Sequence, residues 1–256
     1  MIKKIASKEI KCLTLFKTKK MRKIIVLFCL LFISIQSQSQ TDVFNALLKT
    51  YVTSKGEVDY KGLRKNRAIL DIYIKHLKNT VPGKKWSSPK AKAFWINAYN
   101  AYTIKLILDS YPLKKITDIK RKGRNAWKIP FAVVGKKTYS LDFIEHKILR
   151  RWHDDPRIHV AINAASKSGP RFANYAFTAK NIESKLESLM KDFINDTTKN
   201  KISLDKVEVS KMFEWYQEDF TIKQSLVDYL NKYSDVQIND GAEVFYLDYD
   251  WNLNGK

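Results

Sequence analysis

Cysteine is nearly absent, since the chain of 256 residues has only Cys12 and Cys29. Both lie within the first 40 residues, which the sequence predicts to be removed from the mature protein. A chain without thiols forms no disulfide, carries no thiolate nucleophile and offers no cysteine ligand to zinc. The mature protein is therefore predicted to have no thiol chemistry.

Long apolar runs are also missing beyond the N-terminus, so no later segment is predicted to span a bilayer. The sequence lacks the Gly-x-Gly-x-x-Gly and Gly-x-x-x-x-Gly-Lys-Ser/Thr motifs, which argues against nucleotide-dependent chemistry. It also lacks a Gly-x-Ser-x-Gly elbow, the usual setting of a nucleophilic serine in one large class of hydrolases. We therefore expect no cofactor.

The N-terminus has the composition of an export signal. Met21-Arg22-Lys23 is positively charged, and residues 24–35 are apolar apart from Ser34. Ser37 and Ser39 then supply the small residues that signal peptidase requires. A transmembrane anchor is the alternative, but the run is short for one and is followed by Ser and Gln.

The sequence therefore divides into an upstream extension at residues 1–20, a signal peptide at 21–40 and a single globular domain at 41–256. We expect an exported protein, periplasmic or extracellular, that is not an integral membrane protein once the signal is cleaved.

The chain is strongly basic, with a formal charge of +21. Residues 1–40 hold nine Lys or Arg and one Glu, which leaves 38 basic and 25 acidic residues and a charge of +13. The one dense cluster, from Lys114 to Arg124, has no interleaved aromatics for base stacking. We expect no nucleic-acid partner, although a surface that adheres to acidic polymers stays open.

Apolar periodicity and turn residues predict an α+β fold: one mostly helical domain with a small antiparallel sheet. The predicted strands are a β-hairpin near 127–139 and single strands near 158–163 and 244–249. The predicted helices cover 43–52, 63–77, 88–111, 141–152 and 226–233, with two more that begin after Thr178 and Ser210.

The helix at 88–111 is apolar nearly all the way round, which predicts burial. It carries Asn97 and Asn100 one turn apart, and buried amides need hydrogen-bond partners. With Thr103 they form a polar stripe on one side. The stripe either binds a ligand or ties the helix to neighbouring backbone, and both readings stay open.

Glu145, His146 and His159 are the candidate catalytic groups. Imidazole and carboxylate suit zinc, but no His-x-x-x-His pair is present, so no metal site is expected. His159 precedes a loop with Ser166 and Ser168, an arrangement compatible with nucleophilic catalysis but also with a buried core histidine. Beyond that loop, Arg171 either binds an anion or faces solvent.

Several blocks resemble, in order, those of the domain of unknown function 547 family. They are Val58-Asp59-Tyr60, Ala93 to Lys105, Leu141 to Arg150, Asp155 to His159, Ser166 to Pro170, Phe177-Thr178-Ala179, Phe213 to Phe220 and Asp248 to Trp251. The resemblance implies an exported bacterial domain of unassigned activity. Members commonly have Asn-Cys-Ala-Ser-x-Ser-Cys-Pro after the histidine, whereas this chain has Ala164 and Gly169 in place of the two cysteines.

Two functional hypotheses follow. In the first, an exported, non-thiol binding or envelope-associated domain holds an unknown small molecule, peptide or envelope polymer. In the second, a hydrolase acts on an amide or ester, with His146 or His159 as base and Glu145 as its partner. The residues predicted to bind the ligand are Asn97, Asn100, Ser168 and Arg171.

Overall fold

The structure, a computed structural model, describes residues 40–255 apart from the side chain of His153. The predicted upstream extension lies outside these residues, as does the predicted signal peptide except for residue 40. Residues 43–256 form one compact unit.

Helices dominate the described part of the chain. They are α1 (residues 40–51), α2 (Tyr60–Lys65), α3 (Arg67–Asn79), α4 (Ser88–Ser110), α5 (Leu141–Phe143), α6 (Arg150–His153), α7 (Ile182–Ile194), α8 (Met212–Trp215), α9 (Gln217–Thr221) and α10 (Leu226–Asn231). Short 3₁₀ helices cover Ile116–Asp118, Ala126–Lys128 and Pro156–Val160. Every predicted helix is present, although the one at 63–77 begins in α2 and continues as α3.

Helix α4 lies at the centre of the core and packs against α2, α3 and α7. Pro89 stands in its first turn, where the missing N–H costs nothing, and the helix ends just before Pro112. Its buried residues run almost without a break from Lys92 to Leu108. Each large apolar side chain buried in this way contributes about 1.5–3 kcal/mol.

The segment from Leu141 to His153 is helical throughout but changes its hydrogen-bond pattern. Ser140 begins α5 by accepting a hydrogen bond from the Phe143 N–H at 3.1 Å. Residues Ile144–Leu149 then form a π-helix, so that the Arg150 N–H donates to the Glu145 carbonyl five residues back. The sequence predicted an ordinary helix here, and the wider turn sets where its side chains point.

The described strands form three small sheets: β1 (Lys120–Arg121) with β2 (Arg124–Asn125), β3 (Ala132–Val134) with β4 (Lys137–Tyr139), and β5 (Lys201–Ile202), β6 (Lys206–Ser210) and β7 (Glu243–Leu247) together. The β3–β4 pair is the predicted hairpin. Its turn residues Gly135 and Lys136 both have positive φ, +54° and +70°, as a type I′ turn requires.

The predicted strand near 244–249 is present as β7, but it pairs parallel with β6 rather than antiparallel. The predicted strand near 158–163 is wrong, because Pro156–Val160 is a 3₁₀ helix followed by irregular chain. Asp155 begins that helix by accepting from the Arg157 N–H at 3.1 Å. The apolar run is buried against α7 instead of in a sheet.

The fold class is therefore confirmed as a mostly helical α+β domain with small antiparallel and mixed sheets. Within residues 40–255, no helix combines the length and the apolar character needed to cross a membrane.

Candidate functional site

A cavity of about 180 Å³ brings together the π-helix, the 3₁₀ helix Pro156–Val160, helix α8 and the segment after β7. It is lined by Tyr99, Trp127, Asp142, Glu145, His146, His159, Ile162, Ala164, Pro170, Met212, Trp215, Tyr216, Tyr249 and Trp251. The three predicted catalytic residues therefore share one cavity.

Glu145 is buried in the cavity wall, with only 4% of its surface exposed. Its Oε2 accepts a hydrogen bond from the Tyr99 hydroxyl at 3.3 Å, and its Oε1 accepts one from the Tyr216 hydroxyl at 2.5 Å. Burial raises the pKa of both tyrosines, and the charge of Glu145 raises it further. Both hydroxyls therefore keep their protons and act as donors to the carboxylate.

His159 is buried and is hydrogen-bonded through one of its two ring nitrogens. Its Nε2 lies 2.6 Å from Asp219 Oδ2, and Arg150 clamps the same carboxylate with two further bonds of 2.6 Å. Burial acts to raise the pKa of Asp219, but the hydrogen bonds and charges of His159 and Arg150 outweigh it and hold that pKa well below its usual range. Since Asp219 is an acceptor, His159 Nε2 carries a hydrogen.

The other nitrogen of His159, Nδ1, is buried without a hydrogen-bond partner and lies 4.0 Å from Glu145 Oε1. The ring stacks on Tyr216 with centroids 3.8 Å apart and planes 24° apart. In neutral imidazole this nitrogen is an acceptor. The cavity wall therefore includes one oriented histidine whose free nitrogen is unsatisfied.

His146 lies at the rim, with a third of its side chain exposed. The Nη1 atom of Arg150 lies 2.9 Å from His146 Nδ1. A guanidinium can only donate, so Nδ1 is the acceptor and the ring hydrogen is on Nε2, which lies 3.8 Å from Asp142 Oδ1. Arg150 thus fixes the tautomer of His146 while it binds Asp219.

Four rings form a continuous aromatic wall on the far side: Trp127, Trp215, Tyr249 and Trp251. Trp251 is central, with ring centroids 5.4 Å from Trp127, 5.5 Å from Trp215 and 4.5 Å from Tyr249. Burial raises the pKa of Tyr249 to about 12, and its hydroxyl is 2.6 Å from Ser166 Oγ. The aromatic wall is therefore a set of mutually packed rings and carries a protonated phenol.

The two asparagines of α4 lie outside the cavity and are fully engaged by backbone. Asn97 donates to the Phe177 carbonyl at 2.7 Å and accepts from its N–H at 2.9 Å. Asn100 donates to the Ala161 carbonyl at 2.9 Å and accepts from the Asn163 N–H at 2.7 Å. Asn100 therefore holds the chain between His159 and Ala164 against the core helix.

The other two predicted ligand-binding residues also have structural partners away from the cavity. Ser168 Oγ accepts from the Asp250 N–H at 2.8 Å, which ties the loop to the segment after β7. Arg171 donates to the Ser54 carbonyl at 3.0 Å and to Asp192 at 2.7 Å.

The two positions where the resembling family commonly has cysteine are both near the cavity. Ala164 lines it. A Cβ placed on Gly169 would lie 3.0 Å from Ser166 Oγ and 3.2 Å from the Tyr249 hydroxyl. Glycine therefore leaves room for the hydrogen bond between Ser166 and Tyr249.

Sequence reasoning missed the roles of Asp219, Tyr99, Tyr216 and the aromatic wall. Asp219 is 60 residues from His159 along the chain, and nothing local pairs them. The usable signal was that Tyr216, Asp219 and Trp251 fall in blocks that resemble the family. Among residues 40–255, no group of three or more His, Asp or Glu is arranged to hold a metal ion.

Comparison with known families gives one match, over residues 83–194, to the family described as "Protein of unknown function, DUF547". No curated protein and no solved structure matches the chain. The matched segment contains Tyr99, Glu145, His146, His159 and Ala164. Asp219 and most of the aromatic wall lie beyond it.

Proposed function

We propose that this chain, which belongs to the DUF547 family over residues 83–194, is an exported binding protein. Its cavity holds a small molecule, or one group of a peptide or polymer, without changing it. The observation that carries the proposal is a cavity whose described wall has no thiol and no serine or threonine hydroxyl. Ala164 lines it at a position where the family resemblance implies a cysteine in other members, and the hydroxyls among the described lining residues belong to tyrosines. Burial raises the pKa of those tyrosines, which keeps them protonated.

The size and character of the cavity also favour binding. Its volume of about 180 Å³ is below the range of roughly 300–1,000 Å³ usual for drug-sized ligands. Its wall is mostly aromatic and apolar, with a few fixed polar groups, which is the usual composition of ligand sites. A compact ligand, or a single head group of a larger one, fits these dimensions.

A ligand screen with a plugged variant tests this proposal. Ala164→Leu extends a side chain into the cavity, whereas Trp152→Ala alters an aromatic residue that is 65% exposed and lies outside it. We expect compounds that raise the melting temperature of the wild type and of Trp152→Ala but not of Ala164→Leu. The same compounds should be recovered intact after long incubation. If no compound distinguishes the plugged variant, the cavity is not a binding site.

A hydrolase is the second candidate, and the unpartnered Nδ1 of His159 favours it. A water in the cavity can give its proton to that nitrogen as its oxygen adds to an ester or amide carbonyl, and the proton then passes to the leaving alcohol or amine. Asp219 stabilises the imidazolium formed in between. This route needs water, not a protein nucleophile.

Hydrolysis is tested with a panel of small esters and amides. His159→Gln keeps a planar polar side chain but removes the base, so it should abolish turnover, and His146→Ala should reduce turnover if the rim histidine also takes part. Equal turnover by the wild type and both variants would exclude the mechanism.

Export is supported by the residue pattern at 21–40. Mass spectrometry of the protein recovered from the producing cells should show an N-terminus near residue 40. A protein that starts at residue 1 or 21 would contradict the proposal.

A further inference from the structure

The ionisable side chains of the cavity wall differ from those that dominate the chain. The sequence has 47 Lys and Arg against 26 Asp and Glu. Yet no Lys or Arg lines the cavity, whereas Asp142 and Glu145 do. The nearest guanidinium, that of Arg150, is neutralised by its two bonds to Asp219. The described cavity wall of this strongly basic protein therefore has two carboxylates and two histidines but no lysine or arginine.

The hydrogen-bonding capacity of the Glu145 carboxylate is already about half used. Each oxygen of Glu145 accepts from a tyrosine hydroxyl. Because Glu145 is also buried, its carboxylate offers a ligand its charge more than a free acceptor. A cation that donates few hydrogen bonds, and is large enough to avoid tight hydration, suits this better than a metal ion or a primary amine.

The aromatic wall supplies the second half of the recognition. Trp127 is inclined by 69° to Trp251, Trp215 lies nearly parallel to Trp251 at 20°, and Tyr249 is inclined by 51°. Such a cluster lines a cavity with ring faces and edges of several orientations, and ring faces attract cations. The ring of Tyr216 is not counted in the aromatic wall, because it is already packed against other groups. The His159 ring centroid lies 3.8 Å from the Tyr216 centroid, and the Arg150 guanidinium carbon lies 5.3 Å from it.

We propose that the cavity binds an alkylated ammonium group, quaternary or tertiary, with Glu145 as counter-charge and the aromatic wall around the alkyl groups. This inference rests on the proposed binding function and names the chemical class of its ligand. Aromatic surroundings together with a nearby carboxylate are the usual means by which proteins recognise such cations.

The test compares choline with 3,3-dimethylbutan-1-ol, which has the same shape without the charge. Isothermal titration calorimetry on the full chain measures both. We expect choline to bind at least about tenfold more tightly, from cation–π attraction and the carboxylate together. Glu145→Gln should reduce choline affinity to a value between those that the wild type shows for choline and for the alcohol, because the cation–π attraction remains, and Trp152→Ala should leave both affinities unchanged.

The comparison of choline with the neutral alcohol needs no variant, so it remains valid if Glu145→Gln fails to fold. In that case Asp142→Asn, at the more exposed carboxylate, should give a milder reduction in choline affinity. Equal or tighter binding of the neutral alcohol would overturn the ammonium inference but leave the binding function in place. If neither probe binds, the ammonium inference also fails. The screen with Ala164→Leu then decides separately whether the cavity binds anything.

Discussion

Replacing Asn100 by alanine tests whether the buried amides of α4 support the site. The change removes a donor to the Ala161 carbonyl and an acceptor for the Asn163 N–H. Both residues are 3% exposed, so water cannot replace the lost partner. Leaving a buried polar group unsatisfied costs about 1–3 kcal/mol, so two such groups should cost about 2–6 kcal/mol in unfolding free energy, with about 4 kcal/mol as the central value.

Urea denaturation followed by circular dichroism measures this cost. With a slope of about 2 kcal/mol per molar, the midpoint should fall by about 2 M. Asn195 is the matched control, because it donates to the Tyr233 carbonyl and accepts from the Asp235 N–H, both at 2.8 Å, but is only half-buried. Asn195→Ala should lose about 1 kcal/mol, since water takes over its partners.

The reasoning depends on burial and not on the number of bonds. If the two variants lose the same stability, or if Asn100→Ala moves the midpoint by less than about 0.5 M, the argument is refuted. A second readout is ligand binding, which should weaken in Asn100→Ala at temperatures where the protein is still folded, because Asn100 holds the chain that carries Ala164.

Three further predictions concern the ion pairs and the cavity wall. Folding lowers the pKa of Asp219 from its usual 3.8. The stabilisation that the ionised Asp219 gives the folded protein is complete above pH 3.8 and is lost as the pH falls towards the folded pKa. Asp219→Asn should therefore flatten the decline of unfolding free energy below about pH 4, measured by urea titrations at successive pH values. Lys92→Met removes a buried cation that binds two carboxylates and should cost about 2 kcal/mol, whereas Lys191→Met, in an exposed pair, should leave the urea midpoint unchanged. With both native cysteines changed to serine, Ala164→Cys should react with a small thiol reagent and be protected by a cavity ligand, whereas Ala101→Cys, at a position that is fully buried, should stay unlabelled by mass spectrometry.

The parts of the fold that the sequence predicted well are those with strong local signals. Pro89 and Pro112 bound α4, and Gly135 marks the hairpin turn. The failure at 158–163 has a physical reason, since a short apolar run is compatible with any buried backbone conformation. Strands β1, β2, β5 and β6 were not predicted, because they are short and carry many polar residues.

The functional site likewise combines residues that the sequence identified and residues that it did not. Glu145, His146 and His159 were singled out by residue type, and they do meet in one cavity. Asn97 and Asn100 were correctly predicted to need partners, but only the folded chain shows that both are satisfied by backbone. Asp219 and the aromatic wall come from distant segments, and no spacing rule could have joined them to His159.

The π-helix at Ile144–Leu149 has a consequence for how the site can change over time. It holds one more residue in its turn than an α-helix, and it stands between Glu145, which binds Tyr99 and Tyr216, and Arg150, which binds Asp219. In ordinary α-helical geometry, at about 100° per residue, two residues five apart stand about 140° apart around the axis, whereas the π turn brings them close to the same side. The two ends of the site therefore depend on the wider turn, and a chain with the same residues but with α-helical pitch here would have to give up one set of contacts.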